Sequence, residues 1–347
     1  MDGRTEYGSR GADRLAAGER AKIGYYHTTA EGHAMMNDCK KDSCHKFPTF
    51  ELAYCIGRRK LLRSILGAAS ICLLKNNSAI AQAATTQASD LAQQYDNLYQ
   101  SLLNDAELMQ AVRGERERFE FSMTRALGPR PVPSNTPISQ RASNLIVTFE
   151  VTNENLYNRD YHRPVWPFGQ SGVTIGIGYD VGYVLKTHLV EDWREFIHVD
   201  MIERLTVACG KKGNPAKEIL ASLRDIQISW QTALSQYLKK TQPLIVSETE
   251  EALPNTKLLS PDSLGALVSL VYNRGASFRM PPASDPTGRF QEMRNIRTHM
   301  TEKEFGKIPG ELRGMKRLWE GKPKMAGLLR RRNLEAALFE FGLAARS

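Results

Sequence analysis

Apolar positions recur at helical spacing through most of the chain beyond residue 83. Leu91, Tyr95, Leu98 and Leu102 fall at i, i+4, i+7 and i+11, one face of a helix, and predict a helical segment over 84–127. Ser143-Asn-Leu-Ile-Val-Thr-Phe-Glu150 reads as an apolar helix that ends in a carboxylate. Ile219, Leu220, Leu223, Ile226, Trp230, Leu234, Tyr237 and Leu238 keep a helical stripe. Ser260-Pro261-Asp262 is a helix start, with Ser at the N-cap, Pro at the first helical position and an acid in the first turn. It leads into Leu264–Tyr272, apolar nearly all round, the pattern of a buried central helix. A last helix is expected from about Pro323 to Phe341. The one convincing β signal is Gly172-Val-Thr-Ile-Gly-Ile-Gly-Tyr179, β-branched and punctuated by glycine. The pattern predicts an α+β fold, predominantly helical, with a small β-hairpin beside a helical lobe.

The front of the chain has a different character. Arg58-Arg59-Lys60-Leu61-Leu62-Arg63 is basic and runs into the apolar stretch Ile65–Leu74, followed by Lys75-Asn76-Asn77 and the small residues Ala79–Ala84. That stretch is too short to span a bilayer and right for the core of a signal peptide. Ala81-Gln82-Ala83 fits the cleavage rule, and the paired arginine resembles a twin-arginine export signal. Residues 57–83 are therefore expected to be an export signal peptide. The competing reading is a buried amphipathic helix and loop. Residues 1–56 are polar and aperiodic, a poorly ordered extension or the product of a mis-assigned start. Cys39-x4-Cys44-His45 lacks a second ligand pair at zinc spacing and carries no metal-site reading.

Composition refines this division. The chain has 347 residues and a net charge of +9, with 13 Lys/Arg against 8 Asp/Glu in residues 1–83 and 34 against 30 in the rest. After export the excess is small and only weakly favours an anionic partner. Four of the five cysteines lie in residues 1–83, so the exported part keeps Cys209 alone and forms no internal disulfide. Gly128–Pro137 holds four prolines in ten residues and reads as a stiff linker or wrapped boundary segment. The main domain is expected from Ile138 to residue 343, preceded by the helical segment and linker of 84–137.

Residues 143–183 carry the candidate chemistry. A carboxylate closing an apolar helix is partly withdrawn from water, which favours the protonated form that a general acid needs. Thr174 and Asp180 on a short β-turn can hold a water opposite Glu150, and paired carboxylates are the minimum equipment for cleaving a glycosidic bond. Trp166, Tyr161 and Tyr179 are candidates to stack on sugar faces. Glu154 and Asp160 are rivals to Glu150, and Asp180 can instead cap a turn or hold Thr174. Gly176-x-Gly178 does not continue as a dinucleotide fingerprint, so nucleotide binding is set aside.

Ser171-Gly-Val-Thr174-Ile-Gly-Ile-Gly-Tyr-Asp180 resembles the Thr-Ile-Gly-x-Gly signature of phage-type lysozymes, glycoside hydrolase family 24, and above all the pesticin-like lysozyme domain, in which Asp follows Thr by six residues. Ala266–Gly275, with Tyr272-Asn273, is similar to the family helix that ends in Asn and Gly. Gly327-Leu-Leu-Arg-Arg331-Arg332-Asn-Leu-Glu335-Ala-Ala-Leu-Phe339 is similar to its closing helix. The three motifs occur in family order over about residues 138–342. Phe168 stands where most phage enzymes carry their second carboxylate, so only the pesticin-like pattern fits.

The resemblance implies a lysozyme-like fold and an exported, bacteriolytic muramidase. It would cleave the β-1,4 bond between N-acetylmuramic acid and N-acetylglucosamine. Glu150 would be the catalytic acid, with Thr174 and Asp180 placing the water. Trp166, Tyr179, Tyr161, Asn273 and Arg331 are the substrate-binding candidates, and one arginine of Arg330–Arg332 can instead brace the cleft carboxylates. No cofactor and no metal are expected. The expected partner is the peptidoglycan glycan strand, bound by a monomer, with no nucleic acid and no stable membrane insertion once the signal is removed. The alternatives are a lytic transglycosylase or chitosanase on the same fold, and a non-catalytic wall-binding module.

Overall fold

The computed structural model describes residues 85–105, 130–323 and 325–346. The expected extension over 1–56 and the signal peptide over 57–83 lie outside the described residues, as do 106–129. Among the described residues the chain is mostly helical with a single two-stranded antiparallel sheet, as the apolar pattern predicts. None of these helices is long and apolar enough to cross a membrane.

Helix α1 covers residues 85–103. Helix α2, Gln140–Val151, starts where the Ser139 hydroxyl accepts from Ala142 N. The segment expected to precede the domain is in fact packed into it. Tyr95 and Leu102 of α1 are buried in the common core, Tyr99 Oη and Thr148 Oγ1 share a hydrogen bond of 2.7 Å, and Arg141 makes two bonds to Asp96. The core therefore begins well before Ile138.

Helix α3, Glu154–Asp160, follows α2 after a two-residue break. The sheet pairs β1, Thr174–Ile175, with β2, Tyr179–Asp180, in the register Thr174↔Asp180 and Ile175↔Tyr179. These strands are shorter than the run over 172–179 suggests. Gly176 and Gly178 adopt positive φ and fold the middle of that run into the turn. Helices α4, Lys186–Trp193, α5, Val199–Leu205, and α6, Asn214–Ile219, complete the small lobe.

The apolar stripe over 219–238 is not one helix. It is broken by a loop and restarts at α7, Trp230–Gln236, where Ser229 caps the new N-terminus. A π-helical turn, Tyr237–Thr241, joins α7 to α8, Gln242–Ala252. Pro243 accounts for that turn, because it has no N–H to give the preceding helical carbonyl and its ring crowds that carbonyl.

Helix α9, Pro261–Arg274, runs through the middle of the lobe with Leu264–Val271 buried, and its Ser260 cap and Pro start are those read from the sequence. It packs against α2, α8 and α12, Ala326–Ala344. Gly265 allows the close approach to α2, since a Cβ there would collide with the Ala142 methyl. Helix α11, Ile308–Gly314, packs on α12, and α10, Gln291–Glu302, packs on α11.

The Pro-rich segment is docked along the domain. Ser134 N donates to Pro243 O, and the Thr136 hydroxyl donates to Glu250 at 2.6 Å. The Arg130 guanidinium donates to both oxygens of Asp192, at 2.9 and 2.7 Å, and to His188 O at 2.9 Å.

Candidate active site

Glu150 is the penultimate residue of α2 and is 9% exposed. The helix stops just beyond it at a strained backbone. Thr152 has φ 71 and ψ −75, and Asn153 N donates back to Val151 O, which together make a γ-turn of the rare, unfavoured hand. For a β-branched residue this is a costly conformation, of order 1–3 kcal/mol, of the kind that clusters at functional sites. Asn153 then caps α3 by accepting from Leu156 N.

The Glu150 carboxylate is held by Arg331 from α12, with Nη1 to Oε1 at 3.1 Å. Arg331 is 2% exposed. Its Nη2 donates to Ser269 O at 3.0 Å, its Nε to Glu335 Oε1 at 3.2 Å, and its guanidinium lies 5.4 Å from the centroid of the Phe149 ring. Glu335, fully buried, also accepts from Ser269 Oγ at 2.6 Å and from Arg332 Nη2 at 3.0 Å. Arg332 in turn reaches Asn273 Oδ1 at 2.9 Å. Burial pulls the Arg332 guanidinium down to about 10, against the opposing pull of Glu335. Two carboxylates and two guanidiniums thus alternate along one chain of hydrogen bonds, so each buried charge has a partner.

Arg331 and Asn273 therefore lie in this network, although the family likeness placed them at the substrate. Arg331 takes the bracing role that was the other reading of the arginine run. The Asn273 side-chain oxygen is engaged by Arg332.

The hairpin places Thr174 and Asp180 directly opposite one another. Thr174 is buried and pairs through its backbone with Val165 on its other side, at 2.8 and 2.9 Å. The Asp180 carboxylate accepts from Gly172 N at 3.1 and 3.0 Å and from Gly182 N at 2.9 Å, and it caps the short 3-10 turn Val181–Tyr183. Turn capping, the alternative left open for Asp180, is thus present. Both glycines are needed, because a Cβ on Gly172 would strike the Asp180 carboxylate and one on Gly182 would strike Lys211 O. Asp180→Ala leaves those N–H groups unpaired. We expect it to lower unfolding stability by about 1–3 kcal/mol, read by urea denaturation, while Asp180→Asn retains an acceptor and loses less.

The aromatic candidates divide. Tyr179, expected to stack on sugar, is buried instead. Its hydroxyl donates to Asp192 Oδ2 at 2.6 Å and its ring meets Trp193 edge-on, 5.6 Å between centroids. The reason is positional: its neighbour in the register, Ile175, is also a core residue, so the pair faces inward. Trp166 is half-buried, with Nε1 donating to Ser171 O at 3.0 Å, its ring 5.0 Å from that of Phe168 and Lys217 Nζ 5.6 Å above it. Phe168 is 45% exposed at positive φ, so Trp166 and Phe168 form a surface aromatic pair. Tyr161 is half-buried against the core.

The rivals to Glu150 have partners of their own. Glu154 is exposed and accepts from Gln231 at 3.1 Å, and Asp160 is paired with Arg159 at 2.9 Å. Two residues not singled out by sequence reasoning also belong here. Tyr272 Oη donates to Ile177 O at 2.6 Å in the hairpin turn, and Tyr237 stacks edge-on against Tyr272 at 6.0 Å. Tyr272 precedes the Asn of the central-helix motif, which was the one available signal. Tyr237 was visible only as an apolar-stripe position.

His299, Glu302 and Glu304 at the end of α10 bring ligand atoms within 4.8 Å of one another. Lys307 Nζ lies 2.7 Å from Glu304, and His299 lies 3.2 Å from Glu304 and 3.4 Å from Glu311. They join no part of the Glu150 network.

No curated protein matches the chain. One family model, that of a domain of unknown function (DUF8812), matches residues 146–247, a stretch that holds Glu150, the hairpin and Tyr237 and stops short of α9 and α12.

Proposed function

We propose that the chain is an exported peptidoglycan-cleaving glycoside hydrolase, a muramidase with a lysozyme-like arrangement of helices and hairpin. The observation that carries this reading is the buried Glu150 carboxylate at the end of α2, clamped by Arg331 and next to a strained turn. In this reading the withdrawn carboxyl gives its proton to a glycosidic oxygen, and Arg331 is the counter-charge for the carboxylate left behind.

In this reading the Glu150 proton moves to the leaving oxygen as the anomeric C–O bond breaks. A water at the hairpin forms the new C–O bond and yields its proton to Asp180. Thr174, opposite Asp180, helps to place that water, and the Trp166–Phe168 pair at the surface offers an apolar contact for a sugar ring.

A second reading is favoured by one observation. The Asp180 oxygens already accept three backbone hydrogen bonds. A lytic transglycosylase closes an internal anhydro ring and needs no attacking water, so one carboxyl suffices.

The test is digestion of purified sacculi by the full chain, followed by end-group analysis. New reducing muramic ends support hydrolysis, anhydromuramyl ends support the transglycosylase, and no released ends from well-folded protein overturn both.

A further inference from the structure

The cluster of His299, Glu302 and Glu304 has a local cause. His299 and Glu302 are three residues apart in the last turn of α10 and share a face. Lys303 then takes the left-handed conformation, at φ 60, and Lys303 N and Glu304 N both donate to His299 O, the latter at 2.9 Å. The chain doubles back and sets the Glu304 carboxylate beside the imidazole, with Oε2 3.2 Å from Nδ1.

The two nitrogens of His299 face different carboxylates. Nδ1 looks into the cluster, and Nε2 lies 3.4 Å from Glu311 Oε1 on α11, outside it. Glu311 is held in turn from α10, where Asn295 Nδ2 donates to its other oxygen at 3.1 Å. An imidazole that gives its Nε2 proton to a held carboxylate turns the Nδ1 lone pair toward Glu302 and Glu304. A carboxylate behind the ring is the arrangement that orients metal-ligating histidines and fixes their tautomer.

We propose that His299 Nδ1, Glu302 and Glu304 form a binding site for a divalent transition cation of the zinc class, with Glu311 as the carboxylate that orients the imidazole. One imidazole nitrogen beside two carboxylates suits zinc, whereas magnesium and calcium take oxygen ligands. Bonds of about 2 Å to a tetrahedral ion set its ligand atoms about 3.3 Å apart. His299 Nδ1 and Glu304 Oε2 already stand at 3.2 Å, and all three ligand atoms lie within 4.8 Å of one another. Glu302 is exposed, so its side chain is free to close the remaining distance. Three protein ligands leave the fourth position to water. The competitor is Lys307, whose Nζ lies 2.7 Å from Glu304 Oε2. Its side chain is 60% exposed, and a surface pair of this kind is cheap to part. The site is independent of the role proposed for Glu150, and the bound ion would tie the end of α10 to the turn that leads into α11.

Titration of the metal-free full chain with zinc in a calorimeter tests the proposal. The native chain should bind zinc in the micromolar range and show no comparable heat with magnesium or calcium. His299→Gln and Glu302→Gln should each abolish that binding event. Glu302→Gln should melt with the native protein when no metal is added, so its loss of zinc is not a loss of fold. Glu311→Gln should weaken zinc about 10- to 100-fold, as removal of an orienting carboxylate does. Lys307→Met should bind zinc more tightly, because the competing ammonium has gone. Absence of zinc binding overturns the proposal. Binding that is undiminished in both His299→Gln and Glu302→Gln also overturns it, because the ion is then held elsewhere in the chain.

Discussion

Glu150→Gln should lower peptidoglycan digestion about 10²- to 10⁴-fold and still yield a folded protein. The amide has the shape of the carboxyl and keeps an acceptor for Arg331 Nη1, so the 3.1 Å contact survives as a neutral hydrogen bond. Glu335 continues to balance Arg331 at 3.2 Å. What the change removes, in the muramidase reading, is the proton proposed to reach the glycosidic oxygen. Release of glycan ends measures the rate, and circular dichroism with thermal melting shows that the loss is chemical. Glu154→Gln and Asp160→Asn serve as references. Neither residue bonds to the buried network, and both changes should leave digestion within about twofold of native. A Glu150→Gln protein that digests like the native one would remove Glu150 as the acid.

Arg331→Met should cost about 3–5 kcal/mol of unfolding stability. Methionine fills much of the arginine's length, so the cost is electrostatic rather than a cavity. Arg331 is the link between Glu150, Ser269 and Glu335, and its removal leaves Glu150 without that counter-charge in a site 9% exposed. Glu335 retains Arg332, at 3.0 Å. Converted at roughly 2–4 °C per kcal/mol for a domain of this size, the melting point should fall by on the order of 10 °C. Arg331→Lys should not restore it, since one ammonium cannot replace a fork that reaches Glu150, Glu335 and Ser269 together. The paired change Arg331→Met with Glu335→Gln should lose less than the sum of its parts, because the two groups share one network. An unchanged denaturation midpoint for Arg331→Met would show that the buried pairs contribute nothing.

Local signals survived into the structure where the residues themselves dictate geometry. Ser260-Pro261-Asp262 starts α9 because its cap, fixed φ and acidic first turn act within four residues. The hairpin follows from β-branched residues around glycines that alone tolerate the turn. Glu150 was legible as the carboxylate at the end of an apolar helix, and it lies there, buried.

What failed to show was partnership across the chain. Nothing at Tyr179 reveals that Asp192 and Trp193 will take its hydroxyl and its ring, so an aromatic beside a glycine-rich turn looks like a sugar platform. Arg331 and Glu150 lie 181 positions apart, and periodicity carries no information over that distance. The stripe over 219–238 kept helical spacing across a loop, because Ile226 and Ile228 are buried as loop residues and mimic a helix face. The strain at Thr152 is invisible in the sequence, where a threonine after a helix suggests nothing unusual.

The docked Pro-rich segment bears on where the molecule can be divided. Arg130 neutralises Asp192, and Asp192 receives the Tyr179 hydroxyl from the hairpin strand next to Asp180. A fragment cut at Ile138 would strand that carboxylate in the interior and strip α1 from the face of α2. The autonomous unit thus reaches back through Arg130 to α1, and a domain boundary placed by proline content would cut away the guanidinium that balances the carboxylate holding the Tyr179 hydroxyl.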